Sequence, residues 1–279
     1  LTERKYSVLM SIYYKENPIY FRTSIESMLS QTLKPDEIVI VKDGKLTEEL
    51  DKVIDYYVLR EPNLFKIIPL ENNIGLGLAL NKGLEKCRNE LVARMDTDDI
   101  SLENRCELQV NEFMKNSELC ICGTMIDEFY DESENIVSSR IVPTKHEDIV
   151  KFSRRRSPFN HPTVMYKKSE VLKYGGYHDV KRKEDIDLFG RMLNHGCIAM
   201  NIEQSLLLFR SNEDNFKRRK SWDNCKSYIA VIYDFWKKGY SGTYDLIVVI
   251  IGQFLMFFSP IWVLKLLSNN LLRKKVERN

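Results

Sequence analysis

Leu91-Val-Ala-Arg-Met-Asp-Thr-Asp-Asp-Ile100 runs from a short apolar stretch directly into three carboxylates, Asp96, Asp98 and Asp99. Acids delivered to a strand end are unfavourable unless a cation meets them there. One reading is a seat for a divalent metal, a hard cation that takes oxygen ligands and commonly holds a phosphate-bearing substrate. The other is a helix start, in which Asp98 or Asp99 caps a helix beginning near Ser101. The decapeptide does not separate them, so the rest of the chain has to.

Towards the N-terminus a strand–helix alternation leads into this stretch. Val8-Leu-Met-Ser-Ile12 reads as a buried strand, and Asn17-Pro18 opens a helix through about Gln31 with Ile25, Met28 and Leu29 at helical spacing. Glu37-Ile-Val-Ile-Val41 is a continuous apolar run of the kind that parallel sheets bury on both faces, and it ends in Lys42-Asp43-Gly44. Thr47 caps the next helix, Leu64-Phe-Lys-Ile-Ile68 is a third strand, and Asn72-Asn-Ile-Gly-Leu-Gly77 leads into a helix around Leu78 to Cys87. This order predicts an α/β fold with a mostly parallel, doubly wound sheet whose ligands lie at the carboxyl ends of the strands. Ser11, Asp43 and Asp96 all fall at such ends. A carboxylate serving only as a helix cap has no reason to recur at one sheet edge, so the metal seat is the preferred reading. Gly75-Leu-Gly77 lacks the third glycine of a dinucleotide fingerprint, Leu80 standing in its place, and reads as a flexible turn that lets backbone approach a ligand.

Beyond Ile100 the pattern predicts a helix from Leu102 to about Asn116, then strands near Leu119 to Ile126 and Asn135 to Val142 around a solvated acidic turn, Asp127 to Glu134. Ser157-Pro-Phe-Asn-His-Pro-Thr163 is loop-like before a short strand, Val164 to Tyr166, and Gly175-Gly176 closes the helix that follows. Lys183-Glu-Asp-Ile-Asp187 enters a helix with Glu184, Asp185 and Asp187 in its first turn, where acids either complement the helix terminus or form a site.

The chain of 279 residues is long enough for one large domain with an appendage, and its net charge is only +2. Its basic residues are clumped, at Lys151 and Arg154 to Arg156, at Lys217 to Lys220, and at Arg273 to Lys275. That distribution points to local anionic partners and not to nucleic acid. Six cysteines without a Cys-x-x-Cys pair read as reduced thiols, and Cys120 and Cys122 on one strand would face opposite ways. Leu1 to Lys5 is polar and charged and the apolar run after it is short, so no signal peptide is expected. Leu246 to Leu264 is nineteen residues without a formal charge and includes Gln253 and Pro260. It only just reaches the length of a membrane span; those two residues and the basic flank favour a monotopic helix or re-entrant hairpin on an anionic membrane surface.

Seven stretches in order, Val8 to Tyr14, Ser27 to Thr32, Glu37 to Gly44, Asn72 to Gly77, Ala93 to Asp99, His161 to Met165 and Glu184-Asp185, resemble those of family 2 glycosyltransferases of the GT-A fold. The likeness is greatest to the bacterial exopolysaccharide and O-antigen branch, of the amylovoran glycosyltransferase type, and covers about residues 5–210. It implies inverting transfer of a sugar from a nucleotide-sugar donor, a UDP-sugar being the expected one, with a divalent metal, Mn2+ or Mg2+. Asp43 matches the carboxylate that reads the base, and Ser11 and Asn73 fall on the donor side. Asp96 and Asp98 match the paired acids that meet ribose, metal and diphosphate, with Asp99 beside them; which of Asp98 and Asp99 is the direct ligand stays open. Asp185 matches the catalytic base, and Glu184 and His161 fall on the acceptor or diphosphate side. Lys42 stands where a further carboxylate is common, and the Gln-x-x-Arg-Trp motif of processive members is missing, which implies single additions.

The resemblance also implies residues 1–100 as a nucleotide-sugar-binding half, 101–215 as an acceptor-binding half and 216–279 as a C-terminal helical extension. The expected acceptor is a polyprenyl-diphosphate-linked saccharide at the cytoplasmic face of the bacterial inner membrane. Two alternatives stand beside it. A sugar-phosphate nucleotidyltransferase also uses paired acids on a metal, although Ser11 to Pro18 lacks the glycine and arginine of its phosphate loop; the other is a non-catalytic membrane scaffold with a degenerate donor site.

Overall fold

The computed structural model describes residues 4–211 and 220–260. Its N-terminal half is the predicted alternation: β1 (Tyr6–Ile12), α1 (Pro18–Leu29), β2 (Glu37–Lys42), α2 (Glu48–Arg60), β3 (Phe65–Pro69), α3 (Leu76–Lys86) and β4 (Leu91–Arg94). Local chemistry sets the boundaries. The Asn17 side chain accepts from the Ile19 and Tyr20 amides ahead of Pro18, and Thr47 accepts from Leu50 at the start of α2. The four strands are parallel in the order β3-β2-β1-β4. Side-chain alternation divides them between two cores: Val8, Met10, Ile38 and Ile40 pack towards α1 and α2, while Leu9, Val39 and Val41 pack towards α3.

Past β4 the sheet changes character, and here the expectation of mostly parallel pairing holds only in part. A short β5 (Ile100–Ser101) precedes α4 (Arg105–Lys115); β6 (Leu119–Phe129), β7 (Ile136–Arg140), α5 (His146–Ser153), β8 (Met165–Lys167), α6 (Lys168–Lys173), α7 (Glu184–Asn194) and β9 (Ile198–Arg210) follow. The nine strands form one sheet in which β8 lies between β4 and β6, antiparallel to both; β6 and β9 are parallel, and β5 closes against β9. The acidic turn is shorter than predicted, because Asp127 to Phe129 extend β6 and Asp127 accepts from the Ser139 and Ser205 hydroxyls. All six cysteines are free and buried, with Cys120 and Cys122 in opposite cores as their alternation requires.

Two further helices, α8 (Trp222–Lys237) and α9 (Thr243–Phe258), dock on α7 through a third apolar cluster of Ile186, Val231, Ile232, Phe235, Leu246 and Val249. Arg155 ties the start of α9 to the sheet domain: its Nε donates to Asp245 at 2.5 Å, while Asp245 also accepts from the Gly242 amide at 3.0 Å. Among the described residues no helix is long and apolar enough to cross a membrane. Lys217 to Arg219, residues 261–264 and the basic tail at 273–275 lie outside the described residues.

The α7–α8 contact depends on an absent side chain. A Cβ at Gly190 would lie 2.1 Å from Phe235 Cζ, whereas one at Gly252 on α9 meets nothing within 4 Å. Gly190→Ala is therefore expected to destabilise the chain by about 1–3 kcal/mol through overpacking. Gly252→Ala should be neutral or stabilising by up to about 1 kcal/mol through helix propensity. Urea unfolding of the two variants beside the parent checks both signs.

Candidate active site

The carboxyl edge of the parallel strands brings the predicted acids to one place. Asp96, Asp98 and Asp99 each offer a carboxylate oxygen within 4.8 Å of the others. The helix-cap reading fails here, since Ile100–Ser101 is strand and α4 starts only at Arg105 behind Asn104. Two guanidinium groups brace the acids. Arg94, 1 % exposed, reaches Asp96 Oδ1 through Nη2 at 2.5 Å. Arg210 donates its amide to Asp99 Oδ1 at 2.9 Å and its Nε to the Asp98 carbonyl at 3.0 Å, with its guanidinium 3.7 Å from the Tyr20 ring centroid. Ser24 fixes the strand end by donating to the Asp96 carbonyl.

Burial and the charge on Asp96 push the Asp98 carboxyl up to about 6, and burial with the Asp98 charge raises Asp99 well above the usual range. Asp99 Oδ2 is buried without a hydrogen-bond partner. Crowded acceptor-only oxygens, one of them unsatisfied, are what a hard divalent cation relieves, so the residues present fit Mg2+ or Mn2+. Asp98 is half-buried and Asp99 fully buried with one oxygen already engaged, which favours Asp98 as the more available ligand.

Asp43 is at the predicted edge, at the end of β2, and is held by the turn that follows β3. Its carboxylate accepts from the Ile74 amide at 2.7 Å and the Gly75 amide at 3.1 Å, its carbonyl from Asn73 Nδ2, and it is only 3 % exposed. Asp43 thus shapes the Asn72-to-Gly77 turn. Gly44 permits that approach: its φ is +85°, and a Cβ there would lie 2.8 Å from the Asn73 nitrogen. Lys42, the departure from the family pattern, is ion-paired with Asp51 at 2.6 Å. Ser11 is partly buried at the end of β1, opposite Val41 of β2.

The first turn of α7 supplies Glu184 and Asp185 to two different cavities. Glu184 lines one of about 550 Å³ together with Asn73, Gly75 and Gly77 of the turn and Lys181 and Arg182. Asp185 lines another, of about 480 Å³, under α8 and α9. Gly77 is pressed on Glu184, its virtual Cβ 3.0 Å from the Glu184 Cβ. His161 is held, not free: Nε2 lies 2.9 Å from the Tyr177 hydroxyl, and burial and the Arg94 charge lower its pKa well below the ordinary histidine value, leaving a neutral ring. Asp187 is structural, ion-paired with Arg191, which also donates to the Gly176 carbonyl.

Burial, then the charge of Asp185, pushes the Glu184 carboxyl up to about 7. A carboxyl raised in the folded state keeps its proton longer there than in the unfolded chain. Its favourable contribution is thus full at low pH and is lost as pH rises from about 4.5 through about 7. Glu184→Gln is expected to remove that slope, gaining about 1–3 kcal/mol on the parent between about pH 5 and pH 7.5. Paired urea melts at the two pH values read the difference.

Sequence reasoning missed Arg94 and Arg210, the two cations that make three adjacent acids tolerable. Arg94 carried a visible signal, an arginine inside an otherwise apolar strand. It also missed Cys120, Glu170 and Cys197, whose ligand atoms lie within 4.8 Å of one another. A hydrogen bond from Cys197 lowers the Cys120 thiol to about 7.

A parallel α/β half joined to a mixed half, with an acid cluster at the end of the fourth strand, defines the GT-A class of transferases. The profile described as "Glycosyl transferase family 2" matches residues 7–175, and the chain belongs to that family as a glycosyltransferase. It is 38% identical over 256 residues to the UDP-Gal:alpha-D-GlcNAc-diphosphoundecaprenol beta-1,3-galactosyltransferase of Escherichia coli, covering 92% of each chain. To the amylovoran biosynthesis glycosyltransferase AmsE of Erwinia amylovora it is 37% identical over 226 residues, 81% of this chain and 84% of that one. Among solved structures it is similar to the mannosyltransferase PcManGT from Pyrobaculum calidifontis in complex with GDP-Man and Mn2+. The TM-score is 0.62 at 15% identity, over 95% of this chain and 73% of that one. S. aureus TarS 1-349 in complex with UDP gives 0.58 at 16% identity, over 86% and 72%. Membership sets aside the nucleotidyltransferase and scaffold alternatives.

Proposed function

We propose that the chain is an inverting, metal-dependent glycosyltransferase that moves a sugar from a UDP-sugar to a lipid-linked saccharide in surface polysaccharide synthesis. The observation that carries this is the placement of Glu184 and Asp185, neighbours in sequence, on separate cavities on either side of the start of α7. One cavity is walled by the turn that Asp43 holds and is lined by Asn73, which suits a donor; Ser11, Asp43, Asp96 and Asp98 stand at or just past the carboxyl ends of the parallel strands β1, β2 and β4 and are assigned to the donor with it. The relative of known substrate uses UDP-Gal and a diphosphoundecaprenol-linked acceptor by its name, and it aligns over nearly the whole chain. A divalent cation held by Asp98, with Asp96 and Asp99 around it, would supply Lewis-acid stabilisation of charge on the departing diphosphate. Asp185 takes the proton of the acceptor hydroxyl as its oxygen bonds to the anomeric carbon and the bond to the β-phosphate oxygen breaks. No covalent intermediate on the protein is needed, so a single displacement inverts the anomeric centre.

The outward face of α9 is apolar, with Ile251, Leu255 and Phe258 at 54%, 62% and 73% exposure. Such a helix supports peripheral attachment at the inner face of the bacterial membrane, beside a lipid-bound acceptor. A thermal-shift panel of nucleotide sugars tests the reading. UDP-hexoses should stabilise the chain only with Mn2+ present, by about 2.7 kcal/mol at a hundredfold excess over Kd. Equal stabilisation in chelator removes the metal, and no stabilisation by any nucleotide sugar removes the donor.

A further inference from the structure

The reading above uses the 480 Å³ cavity only through Asp185, yet its walls are strongly differentiated. Arg140, Arg155, Arg156 and Lys183 line it with two acids, Glu128 and Asp185, and with Arg155 paired to Asp245 outside the lining the cations still outnumber the acids by one. Glu128 is already engaged by the Ser138 hydroxyl at 2.7 Å, and Arg155 by Asp245. Arg156 lies 4.8 Å from the Phe152 ring centroid and Lys183 5.1 Å from that of Tyr228. These aromatic faces hold both cations in place at the cavity wall. From α9 the cavity takes Val248, Val249, Gly252, Gln253 and Met256, apolar but for Gln253, and the same helix continues into the exposed apolar surface of Ile251, Leu255 and Phe258.

We propose that this cavity binds the diphosphate of a polyprenyl-diphosphate-linked acceptor. Arg156 and Lys183 receive the two phosphates, and the first isoprene units run along Val248, Gly252 and Met256. The assignment rests on the lipid-linked acceptor proposed above and adds the place where the lipid is gripped. Three features converge on it. A compact anion answers the cation-rich wall and the two aromatic-braced cations, Arg156 and Lys183, guanidinium and ammonium groups being the usual phosphate donors. The apolar wall takes hydrocarbon, which a free phosphate would leave unused. Asp185 on the same cavity places the base beside the saccharide next to that diphosphate. The roughly four or five atoms between the second phosphorus and a hydroxyl of the sugar it carries fit within a pocket of this size.

The test uses the full chain in mild detergent, titrated calorimetrically with farnesyl diphosphate, inorganic pyrophosphate and farnesol, with UDP plus Mn2+ measured in parallel. Farnesyl diphosphate should bind at least tenfold tighter than either pyrophosphate or farnesol. The double variant Arg156→Gln, Lys183→Gln should weaken it at least tenfold while leaving UDP–Mn2+ binding within twofold of the parent, which also shows that the variant is folded. Gly252→Leu should weaken farnesyl diphosphate but not pyrophosphate, and Arg156→Lys should retain most of the affinity. Pyrophosphate binding as tightly as farnesyl diphosphate would overturn the lipid assignment in favour of a free-phosphate site. Unchanged farnesyl diphosphate affinity in the double variant would overturn the site itself. A parent chain that binds UDP–Mn2+ but not farnesyl diphosphate refutes this inference alone, whereas one that binds neither nucleotide nor lipid refutes the transferase reading beneath it as well.

Discussion

Asp185→Asn is expected to lower sugar transfer by about 100-fold to 10,000-fold, the range contributed by a positioned general base. Affinity for UDP with Mn2+ should stay within a few fold, because the side chain faces the cavity under α9 and not the turn at Asn73. The substitution keeps size and most hydrogen-bonding capacity while removing the proton-accepting oxygen, so folding is not expected to suffer. Glu184→Gln is the matched comparison one residue away. Glu184 is buried against Gly77 on the cavity at the Asn73 turn, and its loss of charge should change turnover far less. A larger loss in Glu184→Gln than in Asp185→Asn would exchange their roles, and normal turnover in Asp185→Asn would end the base assignment.

The second large effect is expected at the acid cluster. Asp98→Asn should weaken Mn2+-dependent UDP binding by more than about 100-fold, beyond the 10–100-fold typical of residues that only orient a ligand. Asp99→Asn should fall within that lower range, since Asp99 holds the Arg210 amide from a fully buried position. Calorimetry with UDP at several Mn2+ concentrations separates them: the stronger ligand variant needs more metal to reach the same nucleotide affinity. Equal losses would make Asp98 and Asp99 joint ligands.

The first four strands were legible because β1, β2 and β4 carry apolar runs buried on both faces and β3 a shorter one at the sheet edge, with cap residues such as Asn17 and Thr47 marking the intervening helices. Pairing in the second half was not. β8 is three residues long and sits between β4 and β6, partners separated from it by dozens of residues, and no local period records such neighbours. The acids of the site were legible one by one, as types at strand and helix ends. Their partners were not, because the Arg210 amide meets Asp99 across 111 positions and the Ile74 amide meets Asp43 across 31. Backbone amides carry no sequence signature, so the engagement of Asp43 by the turn could only be seen in three dimensions. The apolar C-terminal run was visible, but its division into a face packed on α7 and an outward face needed the fold.

The start of α7 is a party wall. Residues 7–175, the part matched by the family profile, end just before it, and the cavity beyond the wall draws on both stretches, with Glu128, Arg140, Arg155 and Arg156 from the matched part and Lys183, Tyr228 and Met256 from later sequence. The later helices therefore supply the apolar part of that cavity, and its cations come mostly from the matched part. Under the proposed function, substitutions in the last helix would change what hydrocarbon the cavity accepts while leaving every residue that lines the cavity at Asn73 in place.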